Sequence, residues 1–176
     1  MFLCGAGIIA LTKPMMKVLT APEFYGAWKY VPLLSVAMVF TAFTSFMGTV
    51  YTLNKNSMMS FLTAFIGAGS NIALNLVLIS RIGVQGAAIA TVASYMLVFV
   101  VRCVSVKRYI PFKLEGLHLI LNTVLLALGS ATLLFEWKYP ILIEAGCLAA
   151  MVLLNFKFLW GFAEKILKTL FRKIRK

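Results

Sequence analysis

The sequence has no aspartate, and its 176 residues include only five acidic side chains and one histidine. Acid–base catalysis and metal ligation draw mainly on Asp, Glu, His and Cys. With so few of them, no cluster in this chain reads as a catalytic centre or a metal site. Cys4, Cys103 and Cys147 all sit in apolar runs, without a CxxC spacing or a Cys/His pair. They read as small core residues. The expectation is therefore no enzyme, no cofactor and no metal.

Charge of either sign is also scarce. Charged residues are 12% of the chain and apolar residues 62%, whereas a soluble domain is about a quarter charged and about half apolar. The scarcity is concentrated in long runs. Val31–Leu53, 57–80 and 117–135 carry no charge, 82–101 follows a single arginine, and 139–156 contains only Glu144. A hydrocarbon core of about 30 Å needs roughly 20 apolar residues in helix. Backbone groups in lipid must be paired within the segment, which selects helices over open strands. The fold class expected is an all-α integral membrane protein. Residues 1–159 form a bundle of about six transmembrane helices, and a basic amphipathic carboxy-terminal helix follows over 160–176.

The formal net charge of +12 has the sign of a nucleic-acid binder, but its distribution excludes that partner. Lys and Arg gather at the ends of the apolar runs and in the tail, where they anchor topology and meet anionic lipid head groups. No secretory signal is visible, since the apolar sequence begins at once without a basic region. The first run reaches only Thr12 before Lys13. Either Lys13 and Lys17 snorkel and the helix continues to Thr20, or the chain opens partway through a helix of a longer protein.

The pattern predicts helices at about 2–20, 27–53, 57–80, 84–106, 115–135 and 140–159. The first is interrupted at Lys13-Pro14 and the second kinks at Pro32, because proline lacks the N–H that the helix ladder needs. Tight turns at 54–56 and 81–83 make successive helices antiparallel neighbours. Lys55, Arg102, Lys107, Arg108, Lys113, Lys165, Lys168, Arg172, Lys173, Arg175 and Lys176 fall on one side, and Lys29, Arg81 and Lys138 on the other, joined by Lys13 and Lys17 if these lie near that interface. The more basic side is expected to be cytoplasmic, with both termini on it. In the tail, Ile166, Leu167, Leu170, Phe171 and Ile174 recur at helical spacing among Lys165, Lys168, Arg172, Lys173, Arg175 and Lys176. This reads as a helix lying on an anionic membrane surface, with a solvated basic tail as the bland alternative.

A few polar groups interrupt the spans. Asn71 and Asn75 are four apart and share a helix face. They read either as a polar stripe lining a substrate path or as hydrogen-bonding glue between helices. Thr91, Ser94 and Tyr95, with Gln85 at the start of the same helix, continue a polar edge. Gly67, Gly69, Gly83, Gly86, Ala87, Ala88 and Ala90 read as close-packing positions. Glu144 is a coupling-ion candidate, or a shallow acid that snorkels. Lys13 has the same choice between a cavity and the interface, and His118 lies near the cytoplasmic end of its span.

Phe24-Tyr25-Gly26-Ala27-Trp28-Lys29-Tyr30-Val31-Pro32-Leu33-Leu34 resembles the opening of a helix in the carboxy-terminal half of polysaccharide flippases. Gly48-Thr49-Val50-Tyr51 with Asn54-Lys55 looks like the end of that helix and its turn. The most specific part is Asn71-Ile72-Ala73-Leu74-Asn75-Leu76-Val77-Leu78-Ile79, then Gly83-Val84-Gln85-Gly86-Ala87-Ala88-Ile89-Ala90-Thr91, then Ser94-Tyr95. It is similar to Wzx-like O-antigen and capsule repeat-unit flippases of the multidrug/oligosaccharidyl-lipid/polysaccharide exporter superfamily. The match covers about residues 13–110, and the last two spans fit in hydropathy.

The resemblance implies a carboxy-terminal bundle that works with an amino-terminal bundle around a central cavity. It implies translocation of an undecaprenyl-diphosphate-linked oligosaccharide across the bacterial inner membrane, with lipid as the surrounding partner. Asn71, Asn75, Gln85, Thr91, Tyr95 and Lys13 are the substrate-path candidates. A drug/cation antiporter of the same superfamily and a non-transporting membrane assembly subunit are the alternatives.

The topology is open to test by single-cysteine labelling in a cysteine-free background. Lys107→Cys and Lys173→Cys should both resist a membrane-impermeant thiol reagent added to intact cells. Labelling from outside would reverse the assigned orientation.

Overall fold

The computed structural model describes residues 1–110, 116–134 and 140–174. Its elements in order are α1 (Phe2–Leu19), a 3-10 segment (Pro22–Lys29), α2 (Val31–Leu53), α3 (Ser57–Ile82), α4 (Val84–Val106), α5 (Gly116–Leu134) and α6 (Pro140–Ile174). No strand occurs among the described residues. Helices α1 to α5 each contain a stretch long and apolar enough to cross a membrane. The chain is thus an all-α bundle with the character of a multi-pass membrane protein. α6 carries the apolar stretch Leu142–Phe156 among its described residues, so the sixth apolar run expected from hydropathy is helical.

Three boundaries differ from the sequence expectation, each for a local reason. α1 is continuous through Pro14 instead of breaking at Lys13-Pro14. Losing one ladder bond is offset where a helix packs on several neighbours, as α1 does on α2, α5 and α6. α2 begins at Val31, so Pro32 lies in its first turn. There the missing N–H has no helical acceptor to satisfy, and Pro32 starts the helix without kinking it. The preceding residues form the 3-10 segment, with Pro22 in its own first turn. Finally, no break separates a tail at 160. α6 is one helix of 35 residues, about 52 Å long at 1.5 Å per residue and well beyond a hydrocarbon core of about 30 Å. Glu164, Lys165, Leu167, Lys168, Leu170 and Arg172 are good helix formers and carry the helix onward. Of the residues proposed for surface binding, Arg175 and Lys176 lie outside the described residues, and Lys165, Lys168, Arg172 and Lys173 are described in backbone only.

α2 is the hub. It packs against α1, α3, α4 and α5, while α1, α5 and α6 pack among themselves on one flank and α3 against α4 on the other. The core follows α2 along Val36, Val39, Phe40, Met47, Val50 and Tyr51, with Phe99 from α4 edge-on to Phe40 at 5.6 Å. Hydrogen bonds tie the flank together: Asn155 donates to Asn122 at 2.8 Å across α6 and α5, and Ser130 on α5 donates to the Pro32 carbonyl at 3.3 Å. The outer face of α3 shows Phe61, Leu62, Phe65, Ile72 and Leu76, the apolar surface that a lipid-facing helix requires.

The α3–α4 hairpin depends on small residues. Asn56 caps α3, its side-chain oxygen accepting the Met59 N–H at 3.1 Å. Gly83 ends α3 at φ 64°, a conformation that favours glycine. Gly86 lies so close to α3 that a Cβ there would overlap the Leu78 carbonyl. Gly67 faces Val98 in the same way, while Gly69 has nothing within 4 Å. Of the three helical glycines in this hairpin, only Gly86 meets backbone that cannot move aside. Gly86→Ala should therefore destabilise the purified protein by about 1–3 kcal/mol. Gly69→Ala should be neutral or stabilising by up to about 1 kcal/mol. Unfolding of both variants in mixed detergent checks the pair, and equal effects would remove close packing as the role of Gly86.

Candidate functional site

Helices α2, α3 and α4 enclose a cleft of about 340 Å³. Its polar wall is built at helical spacing. Thr41, Thr44 and Ser45 come from α2, Asn71 from α3, and Ser94, Tyr95 and Arg102 from α4, with Val98 between the last pair. Residues 94, 98 and 102 are four apart and so occupy one face of α4. The hydroxyls are held by their own helices: Thr41 donates to Ala37 at 2.8 Å, Thr44 to Thr41 at 2.8 Å and Ser94 to Ala90 at 2.7 Å. Their lone pairs remain as acceptors.

Arg102 dominates the electrostatics. It is 8% exposed, although it stands within a membrane-length helix. Its Nε donates to Thr63 Oγ1 at 3.1 Å, and Nη1 donates to the Thr44 carbonyl. Thr63 is itself buried, and its hydroxyl donates a hydrogen bond to the Ser60 carbonyl at 3.0 Å. The guanidinium carbon lies 5.9 Å from the centre of the Tyr51 ring, within cation–π range. Tyr51 is completely buried and hydrogen-bonds Ser105 one turn away on α4. Gly48 completes the seat, since a Cβ there would lie 2.7 Å from Nη1. Neutral groups make all of these contacts. Among the described residues no carboxylate pairs with Arg102. A guanidinium carries five N–H donors in a planar fork, and those not used by Thr63 and Thr44 are left for the cleft.

The sequence candidates divide. Asn71 and Tyr95 line the cleft. Asn75 lies one turn away, where its amide donates to Asn71 Oδ1 at 2.9 Å and its own Oδ1 is buried without a hydrogen bond. The pair therefore bonds along α3 and not across helices. Gln85 is exposed at the start of α4, and Thr91 donates to Ala87 at 2.8 Å; neither lines the cleft. Lys13 is elsewhere, its ammonium 4.7 Å over the Trp28 ring. Glu144 does not snorkel. It is 8% exposed, on the far flank between α6, α1 and α5.

Arg102, Thr63, Tyr51 and Thr44 escaped the sequence reading. Arg102 was assigned to the basic flank of its span. Its position eight residues after Ser94 and seven after Tyr95 is the signal that puts it on their face. Among the described residues no group of three or more His, Cys, Asp or Glu could hold a metal ion. Scanned against protein-family models, curated proteins and solved structures, the chain matches none of them.

Removing a partner and removing the charge should have opposite costs. Thr63→Val leaves a buried guanidinium N–H unsatisfied and should cost about 1–3 kcal/mol. Arg102→Met removes the charge altogether and should be close to neutral or stabilising, as replacement of buried ionic groups by apolar ones often is. Detergent unfolding of the two variants decides it. A larger loss from Arg102→Met than from Thr63→Val would mean that Arg102 serves the fold.

Proposed function

We propose that the α2/α3/α4 cleft is one wall of a path for undecaprenyl-diphosphate-linked oligosaccharide, and that the chain supplies one helical bundle of a bacterial inner-membrane flippase. The observation that carries this reading is Arg102, a buried cation facing a polar cleft with no carboxylate to neutralise it. A planar guanidinium suits phosphate oxygens, which it can hold through two parallel hydrogen bonds. The hydroxyls of Thr41 and Ser45 and the amide of Asn71 supply the neutral acceptors and donors that sugars require. An amphiphile with an anionic head and an apolar tail also matches a cleft whose outer neighbours are lipid-facing side chains. A drug or cation antiporter fits this cleft less well, since its cargo would meet Arg102 as a like charge.

The resemblance over residues 13–110 supports the same substrate class. On the orientation expected from the Lys and Arg distribution, Arg102 lies about 6 Å inside the cytoplasmic end of α4, at 1.5 Å per residue. A diphosphate entering from the cytoplasmic leaflet would meet it early. In this reading the role is transport and not catalysis, and the partner surfaces are lipid and a second helical bundle.

The test uses the complete two-bundle transporter in a strain lacking its own flippase, with surface polysaccharide as the readout. Asn71→Leu with Asn75→Leu should leave the amount of folded protein unchanged, because the pair's hydrogen bond lies within one helix. The same variant should lose most polysaccharide export, and Arg102→Gln should lose at least as much. Normal export from well-expressed variants of both kinds would reject the cleft as the path.

A further inference from the structure

Arg102 points away from the nearest end of its helix. It stands four residues before the end of α4 at Val106. Its partner Thr44 is nine residues before the end of α2 at Leu53, and Thr63 is six residues after the start of α3 at Ser57. These ends lie together, since Tyr51 near the end of α2 bonds Ser105 near the end of α4. At 1.5 Å per residue the depths of Arg102, Thr44 and Thr63 are about 6, 13.5 and 9 Å. The guanidinium therefore sits deeper than its own backbone. A long cationic side chain near the end of a span ordinarily does the reverse and extends its charge to the interface.

The route to that end is occupied. Ser105 and Tyr109 follow Arg102 by three and seven residues, in line with it along the chain. The Tyr51 ring lies beside the guanidinium, and the Tyr109 ring meets Tyr51 edge-on at 5.9 Å. Tyr109 is held in turn by Asn56, whose Nδ2 donates to its hydroxyl at 2.7 Å. Lys55 adopts φ 53°, which closes α2 with the Lys55 N–H on the Thr52 carbonyl at 3.1 Å and the Asn56 N–H on the Tyr51 carbonyl at 2.9 Å. The Asn56 Oδ1 meanwhile accepts the Met59 N–H. One residue thus ends α2, caps α3 and holds the chain beyond α4. Neither Asn56 nor Tyr109 lines the cleft.

We infer that Asn56 and Tyr109 are positioning residues for Arg102. They form a clasp that closes the route to the helix end and so keeps the guanidinium in the cleft. Its consequence for anion binding rests on the function proposed above, whereas the placement of the side chain does not.

Hydrogen exchange at the arginine Nε–H groups tests the clasp, read by NMR of the full chain carrying isotopically labelled arginine in lipid nanodiscs. The Arg102 signal is the one absent from Arg102→Gln. In wild type it should exchange more slowly than that of the exposed Arg81. Asn56→Ser keeps an oxygen to cap α3 but loses the donor to Tyr109, and Tyr109→Phe keeps the ring but loses the acceptor. Each should speed exchange at Arg102 by about tenfold, the scale of one lost hydrogen bond. The double variant should be no faster than the faster single one, because both changes remove the same bond; general loosening would multiply the two effects. Wild-type rates in both single variants, or multiplied effects in the double variant, overturn the inference. Binding of undecaprenyl diphosphate in the same nanodiscs is a separate arm, in which the clasp variants should bind more weakly than wild type. Undiminished binding by them while Arg102→Gln is weakened also overturns the inference. If wild type and Arg102→Gln bind the lipid alike, the proposed function fails and the exchange result still decides the clasp.

Discussion

Burying the Arg102 guanidinium in an apolar bundle without a carboxylate is the constraint around which α2, α3 and α4 are arranged. Each helix contributes to meeting it. α2 brings the Thr44 carbonyl, the Tyr51 ring and the space at Gly48, and α3 brings Thr63. α4 carries the arginine itself and holds Tyr51 through Ser105. Hydrogen bonds to a charged group are stronger than neutral ones, yet the desolvation of a charge in low dielectric is larger than a few such bonds recover. A fold selected for stability alone would have an apolar residue there. The contacts orient the fork and leave its charge uncompensated, which is the state that favours an incoming anion.

The position of α2 explains how one small bundle keeps two unlike sites apart. Its two flanks differ in character. On the α3/α4 flank polar groups line the cleft around Arg102, while on the α1/α5/α6 flank Glu144 lies mainly among apolar side chains, with Lys13 beside the same space. Had the two side chains met, they would have neutralised each other and closed both cavities. The buried Phe40 and Phe99, with the half-buried Phe43, fill part of the space around α2. Arg102 therefore remains among neutral dipoles in a low dielectric, where electrostatic effects are strong.

Much of this fold was legible because hydropathy and punctuation act locally. The uncharged runs fixed the helices, and the Asn54-Lys55-Asn56 and Arg81-Ile82-Gly83 turns fell where Lys55 and Gly83 adopt positive φ. The misplacements were at prolines, where the effect depends on neighbours. Pro14 lies inside a helix braced by three others, and Pro32 opens one. The tail is helical as expected and continues from α6 without a break, because basic amphipathic spacing describes a face and not a boundary, and nothing in 157–164 stops α6. At the site, Asn71 and Tyr95 were found because polar residues stand out in an apolar run. Arg102 did not stand out, since an arginine near a span end is the ordinary topological signal. Only the packing of α4 against Thr63 and Tyr51 shows that it turns inward. Thr63 and Thr44 were invisible for a simpler reason: threonine in a membrane helix usually bonds its own backbone, and one that also accepts from a distant arginine looks the same in sequence.

The most direct test of the account is equilibrium binding of undecaprenyl diphosphate to the purified chain in nanodiscs, compared with undecaprenol, which has the same tail and no charge. The account predicts that the diphosphate binds more tightly than the alcohol. It also predicts that Arg102→Gln removes that preference, by at least about tenfold in affinity, the scale of one hydrogen bond to a charged group. If the variant folds normally and still distinguishes the two lipids as wild type does, Arg102 is not the anion-binding group and the central claim fails.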